Sequence, residues 1–369
     1  MATKAKRTCA DAPEYYEVSA PREMAGVRAD ATALHFLRGP LSGSTLNRLA
    51  TFKALRHLRI DHAEGSDAWL EDLARHRSLR QLETLELHGL DDLLGTTLTA
   101  LGELGALTKL SLSACRSLLG KHLAALASLS TLRTLTIDGM KKSTPDASLE
   151  LIARLPLREF SLRNTPKLTA GGVRHLGAMT SLRALDLSYC SNLDNACLTH
   201  IAELRNLESL SVRGGQKIYD DGLRALSALK NLRALDLGVI QMHEEFGTGI
   251  TANGVQHLRA LPRLEKLDLS NNAGIKAPAM TQLAGLPKLR ELRMTHSRIA
   301  TDDLEAVSEF VSLEVLDLSH ADHVTDDVVR QVAKLRKLRE LCAPHRERMK
   351  TQHVHLTIDA HASGRSRDF

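Results

Sequence analysis

Cys342 stands close in sequence to His345, His353, His355 and His361, and a thiol beside imidazoles is the pairing that nucleophilic catalysis uses. The surrounding pattern argues against it. Cys342 closes a leucine-spaced run after Leu338 and Leu341, so it is expected to pack at the end of an array. His353 and His355 would share one face of a strand, but no acid or cysteine lies at ligand spacing, so no metal site is expected. A Gly-rich phosphate loop, an H-E-x-x-H helix, a nucleophile elbow and a C-x-x-C pair are all lacking. The sequence therefore predicts no catalytic residue, no cofactor and no small-molecule substrate. A second set of charged residues is more informative. Asp186, Asp236, Asp268 and Asp317 recur at one place of a repeated pattern, and Arg163, Arg213 and Arg293 fall at that place or two residues on. Such rows either solubilise a surface or form a mixed polar groove for a basic, extended polypeptide segment. Like charges one repeat apart repel unless they are neutralised. His296 and His320 follow the same rows in adjacent repeats.

The pattern that positions these residues is a repeat. Leu182, Leu185 and Leu187 make an L-x-x-L-x-L run, followed by Cys190, Leu193 and a helix-like stretch through Leu198, Ile201 and Leu204. The run begins again at Leu207, a step of 25 residues. Further runs start at Leu55, Leu82, Leu107, Leu132, Leu157, Leu232, Leu264, Leu289, Leu313 and Leu338, and the only other steps are 27, 32 and 24. A fixed period of this length marks stacked repeats, each burying its apolar side against its neighbours. In LRALDLS, alternation turns Leu185 and Leu187 inward, and Asp186 and Ser188 outward. Thr169, Asp220, Thr251 and Thr325 each precede a helix-like stretch and are expected to cap it. Strands pack more closely than helices, so the array should curve with its strands inside.

Three places depart from the period. Residues 1–30 are polar, with Pro13, Pro21 and Gly26, and read as an irregular lead-in in which Tyr15 and Tyr16 pack on the first repeat. The ATALHFLRG segment from Ala31 reads as a degraded first strand, which puts the solenoid at residues 31–341 with about 12–13 repeats. The step of 32 after Leu232 places extra residues in a loop at 239–254, with Met242 and Phe246 at its tip. Insertions in such arrays often serve binding, and two exposed apolar side chains together favour contact. Residues 342–369 read as a closing strand, with Leu356 and Ile358 on one side, followed by a disordered tail; Pro344 forbids a central strand there.

Composition narrows the setting. Forty-nine cationic and 44 anionic residues are interspersed for a net charge of +5, and aromatic residues are only 3%, which argues against a nucleic-acid partner. Five scattered cysteines do not form a disulfide framework, so a reducing, cytoplasmic setting is expected. No apolar core follows the basic N-terminal residues, and no run approaches the roughly 18 apolar residues needed to span a bilayer, so neither a secretory signal nor a membrane is expected.

The unit at Leu182–Leu204, and again LEVLDLSHADHVTDDVVRQVAKL from Leu313, resembles the leucine-rich repeat. Cys115 and Cys190 at the turn place resemble its cysteine-containing subclass, although Asn272, Thr165, Ser297 and Ala321 stand there in other repeats. The resemblance implies an α/β solenoid, a curved horseshoe with parallel strands on the concave face and helices on the convex face. It further implies a non-enzymatic scaffold for a protein partner. The subclass is known from F-box substrate-recognition subunits and from bacterial effectors delivered into host cells. The thirty residues before the repeats are too few for an F-box, so only the recognition half of that role is expected. The expected partner surface is Asp186, Asp236, Asp268, Asp317, Arg163, Arg213 and Arg293 with Met242 and Phe246. Charge reversal at Asp236 and Asp268 would then weaken binding without unfolding the array.

Overall fold

The computed structural model describes residues 13–343, apart from 66, 141–144, 241–248, 298, 300–301, 322–331 and 333–334, and also 355–358. The chain forms two compact units, Met1–Leu182 and Arg183–Phe369. In the first unit the strands are β1 (Tyr16–Val18), β2 (Ala33–Pro40), β3 (His57–Glu64), β4 (Thr84–His88), β5 (Lys109–Ser113), β6 (Thr134–Asp138) and β7 (Glu159–Arg163). Each pairs in parallel with the next, and the register follows the repeat: Leu85 lies beside Leu110, and Leu110 beside Leu135. The second unit contains β8 (Ala184–Asp186), β9 (Ser209–Ser211), β10 (Ala234–Asp236), β11 (Lys266–Asp268), β12 (Glu291–Arg293), β13 (Val315–Asp317), β14 (Glu340–Ala343) and β15 (His355–Ile358), again parallel in chain order. The expected inward leucines are buried, Leu185 at 1% exposure and Leu187 at 0%.

Two expectations at the ends need correction. The lead-in is not irregular throughout. Residues 16–18 form β1 on β2, a short 3-10 turn follows at Pro21–Gly26, and Val18 and Met24 are buried against the first repeat. One buried valine in a three-residue strand is too short a signal for periodicity to reveal. At the other end, β15 is the closing strand and runs parallel to β14, with Leu356 in register with Leu341. Cys342, however, is no core residue. It pairs with Asp317 on the polar side of β13, is only half-buried, and its Sγ lies 3.7 Å from Glu340 Oε1. The inward place of that strand belongs to Leu341, one residue earlier.

The return segments are helical but not uniformly α. Ala170–Leu176, Asn195–Ile201 and Asp220–Leu226 are α-helices, whereas Leu98–Glu103, Gly120–Ser128 and Asp302–Glu309 wind as 3-10 turns. Thr169 and Thr251 cap as expected, accepting from the amides of Gly171 (3.1 Å) and Asn253 (3.2 Å). Asp220 does not cap its own helix; Tyr219 holds that place. Its carboxylate reaches the following repeat instead, accepting from the Thr251 amide at 2.7 Å and the Thr251 hydroxyl at 2.5 Å. Asp146 serves Thr169 in the same way within the first unit. This link explains Gly254, because a methyl group there would stand 2.9 Å from the Asp220 Cα. Thr325 lies outside the described residues.

At the end of most strands the chain turns through a residue of positive φ, among them His62, Ala114 and Asn164 in the first unit and Tyr189, Asn271, His296 and His320 in the second. The left-handed turn aims that residue's amide at the next strand, as in Ala114 N to Asp138 O (2.9 Å) and Tyr189 N to Arg213 O (2.7 Å). The residue after it turns inward to satisfy the bend. Asn272 Nδ2 donates to the Leu237 and Leu269 carbonyls at 3.0 and 3.1 Å, and Thr165 Oγ1 to Arg163 O at 3.0 Å. Cys115 fills this place as a buried thiol, 3.5 Å from Ser113 O. Just before β8–β14 of the second unit, the row Arg183, Glu208, Arg233, Glu265, Arg290, Glu314, Arg339 alternates in sign, with Arg233 2.7 Å from Glu265 and Arg290 3.8 Å from Glu314.

Candidate interaction surface

On the polar side of β8–β13 the aspartates have a backbone task. Asp186, Asp236, Asp268 and Asp317 each accept, through Oδ1, the amide two residues on: Ser188 (2.9 Å), Gly238 (2.9 Å), Ser270 (2.8 Å) and Ser319 (3.0 Å). A side chain that captures this amide takes it from the inter-strand ladder. The strands β8, β10, β11 and β13, which carry these aspartates, have three residues, as do β9 and β12 beside them with Ser211 and Arg293 in that place, whereas β4–β7, with Glu86, Ser111, Thr136 and Ser161 in the corresponding place, have five. The aspartate of L-D-L-S is thus a turn-forming acceptor as well as a charge.

Two of the four are locked away. Asp236 is 4% and Asp268 1% exposed, and Arg213 bridges them, its Nε 3.1 Å from Asp236 Oδ2 and its Nη2 2.5 Å from Asp268 Oδ2. The guanidinium starts on the β9 side and crosses β10 to reach β11. Gly238 makes that path, since a Cβ there would meet Arg213 Nη1 at 2.7 Å and Cζ at 2.9 Å. Ser211 Oγ donates to Asp236 Oδ2 at 3.2 Å and is 2.7 Å from Ser188 Oγ, so a continuous polar chain runs from Asp186 to Asp268. Burial and the neighbouring Asp268 raise the Asp236 pKa above the usual carboxylate range, with Arg213 opposing them. The repulsion expected along this row is met here by one guanidinium between two carboxylates. Charge reversal at Asp236 and Asp268 would therefore break the fold, and it cannot serve as a binding test.

Asp186, Asp317, Arg213 and Arg293 remain partly exposed on this face, and Arg293 is paired with Glu291. His296 and His320 stack with ring centroids 4.3 Å apart and planes 5° from parallel. Ile240, at the start of the long-repeat insertion, is 47% exposed. Met242 and Phe246 lie outside the described residues, as do His345 and His353. Arg163 belongs to the first unit, at the end of β7. Six of the nine expected residues thus lie on the second unit. Ser188, Ser211 and Gly238 were missed as members; the glycine in an otherwise side-chain-bearing row was the available signal.

The first unit contains a second ionic cluster that pattern reading did not find. Asp61, 6% exposed, accepts from His35 Nε2 (2.8 Å) and from Arg59 Nε and Nη2 (3.0 and 2.9 Å), while Glu17 on β1 lies 3.6 Å from His35 Nδ1. Burial alone would raise the Asp61 pKa, but these hydrogen bonds outweigh it and hold the carboxyl well below its usual range. Tyr15 packs edge-on against His35, and burial beside Glu86 pushes its phenol up to about 12. A depressed folded pKa adds stability above the unfolded carboxylate value, and that stability is lost as pH falls through and below it. Asp61→Asn is expected to cost about 1–3 kcal/mol at pH 7. The gap to wild type should close below about pH 4 in acid-unfolding curves read by Trp69 fluorescence; a pH-independent gap would refute the ionic account.

For catalysis and metals the described residues offer little. Cys115 and Cys197 are buried thiols raised to about 11 and 12, the reverse of an activated nucleophile. Among the described residues no group of three or more His, Cys, Asp or Glu is placed to hold a metal, and no helix is long and apolar enough to cross a membrane.

Short parallel strands at a 25-residue period, an inward turn residue that satisfies the bend, and helical returns define a leucine-rich repeat solenoid, an architecture typically used as a protein–protein interaction scaffold. The chain belongs to the leucine-rich repeat family: the sequence model of the leucine-rich repeat region matches residues 42–310. Solved structures share the fold. An internalin of Listeria monocytogenes is 21% identical over 80% of this chain and 82% of that one, with a TM-score of 0.56. A leucine-rich repeat protein of Leptospira interrogans is 18% identical over 89% and 72%, at 0.55. The yeast Rad7 and Elc1 complex matches at 17% identity over 89% and 79%, at 0.56.

Proposed function

We propose that this chain is a non-enzymatic scaffold whose second unit binds a protein partner through the polar side of β8–β13 and the 239–254 loop. The observation that carries the reading is the preorganised face itself: carboxylates and guanidinium groups are fixed by hydrogen bonds before any partner arrives. Fixed groups lose little conformational entropy on binding. The accessible members are Asp186, Asp317 and Arg293, and the exposed Ile240 leads into Met242 and Phe246. Carboxylates at Asp186 and Asp317 suit a basic, extended segment of a protein better than a nucleic acid. The likeness to the Rad7 and Elc1 complex, in which such a fold is found with a protein companion, supports the class of partner.

The test keeps the turns and removes the charge. Asp186→Asn with Asp317→Asn retains the Oδ1 acceptors, and Met242→Ser with Phe246→Ser alters the loop. Capture from native lysate is expected to lose the same partner in both double variants while their melting curves match wild type. Retention of that partner in both would overturn the assignment. A further proposal places the scaffold as a bacterial effector-type protein acting on host ubiquitin-ligase or signalling components; two of the similar structures come from bacteria. A secretion assay with residues 1–30 deleted tests it, and unchanged export would remove the role assigned to that segment.

A further inference from the structure

Within the first unit, the row just before the strands reads Arg56, Glu83, Thr108, Arg133, Arg158. Arg56 lies 3.6 Å from Glu83. Arg133 and Arg158 are different: they are direct neighbours across β6 and β7, the Arg158 amide donating to Arg133 O at 2.7 Å, and both side chains are exposed. Among the described residues neither has a carboxylate within ion-pair distance; Arg133 Nη1 donates only to the carbonyls of Ser130 (3.3 Å) and Leu132 (2.9 Å). The adjoining polar side of β5–β7 presents hydroxyls, Ser111, Thr136 and Ser161, where the second unit has aspartates, with Arg163 in the next place. The acids nearby are engaged: Asp138 accepts from Asn164 Nδ2 at 2.6 Å, and Glu159 lies 3.3 Å from Thr134 Oγ1.

Two guanidinium groups one strand spacing apart, about 4.8 Å at the backbone, repel each other and concentrate positive potential. An anion with two acceptors lying across the strands would relieve that repulsion, and guanidinium groups match carboxylate and phosphate geometry. The flanking hydroxyls can donate to the same anion. No aromatic side chain stands in these outward places for a base to stack on, so a polypeptide fits better than a single-stranded nucleic acid. We propose that Arg133 and Arg158, with the hydroxyl-bearing side of β5–β7, form an anion-binding surface for an acidic, extended polypeptide segment. It belongs to the first unit, and its charge preference is opposite to that of the surface proposed on the second.

The experiment uses the full chain and fluorescence anisotropy with three labelled probes: a decapeptide of glutamate, a peptide of equal net charge carrying phosphoserines, and a ten-nucleotide single-stranded RNA. The glutamate peptide is expected to bind at low salt and to weaken as salt is raised. Arg133→Ser with Arg158→Ser should lower its affinity by about tenfold or more with an unchanged melting curve. Arg154→Ser, which removes a cation 3.8 Å from Glu150 on the adjacent return segment, should leave it unaltered. Tighter binding of the phosphoserine peptide, lost in the same double variant, also supports the surface and assigns phosphate as the source of charge. Equal affinity in the double variant, a loss of similar size in Arg154→Ser, stronger binding of the RNA, or no binding of either peptide at low salt would overturn the proposal.

Discussion

Replacement of Arg213 by alanine is expected to destabilise the second unit by about 3–5 kcal/mol, because it leaves two adjacent carboxylates buried without a cation. Asp236 and Asp268 are 4% and 1% exposed beneath the guanidinium, and its removal leaves both without their cation, facing only the water that enters the space it vacates. Asp236→Asn should behave in the opposite way. The amide oxygen still accepts from Gly238, one of two repelling charges is gone, and the change is expected to be neutral or slightly stabilising at pH 7. The sign with pH follows from the raised Asp236 pKa. A carboxyl whose folded pKa lies above its unfolded one favours the fold at low pH, and that contribution is lost as pH rises through the folded value. Acid should therefore recover part of the Arg213→Ala loss between neutral pH and the carboxylate range. Urea unfolding followed by circular dichroism at several pH values reads both variants against the wild type. An Arg213→Ala protein as stable as wild type would show that the cluster contributes nothing to the fold.

Leu185→Ala is the second large effect, expected at about 2–5 kcal/mol from lost transfer energy and the cavity left behind. Leu185 is 1% exposed, and neighbouring repeats supply its surroundings. Repeats couple mainly to their neighbours, so the damage should stay local and the melt should broaden into more than one step. Trp69, the single tryptophan, lies in the first unit and provides an independent probe. Circular dichroism should lose signal before Trp69 fluorescence moves. Coincident curves shifted together would instead mean that the two units unfold as one cooperative block.

Most of the fold could be read in the sequence because each buried place recurs. Leu185 and its equivalents declare the period, and alternation then assigns Asp186 and Asp236 to the other side. Alternation assigns a side but says nothing of depth. Nothing in the row containing Asp268 reveals that a guanidinium two strands away covers it, since that depends on the missing side chain at Gly238. Asp61 was equally hidden, because its partners His35 and Glu17 come from segments where the repeat has decayed. Asp220 shows a third limit: a residue of cap-forming type in a cap-like position spends its carboxylate on the following repeat. Links between repeats of this kind leave no mark on the period of any one repeat.

The alternating row before the strands of the second unit gives the array a parity. Removal of the repeat that begins at Glu208 would set Arg183 beside Arg233, like facing like; removal of two would set Arg183 beside Glu265 and restore the alternation. The same rule holds for duplication. On this edge the unit counts in pairs, so shortening or lengthening it by an even number of repeats preserves its electrostatics, and an odd change leaves one charged seam.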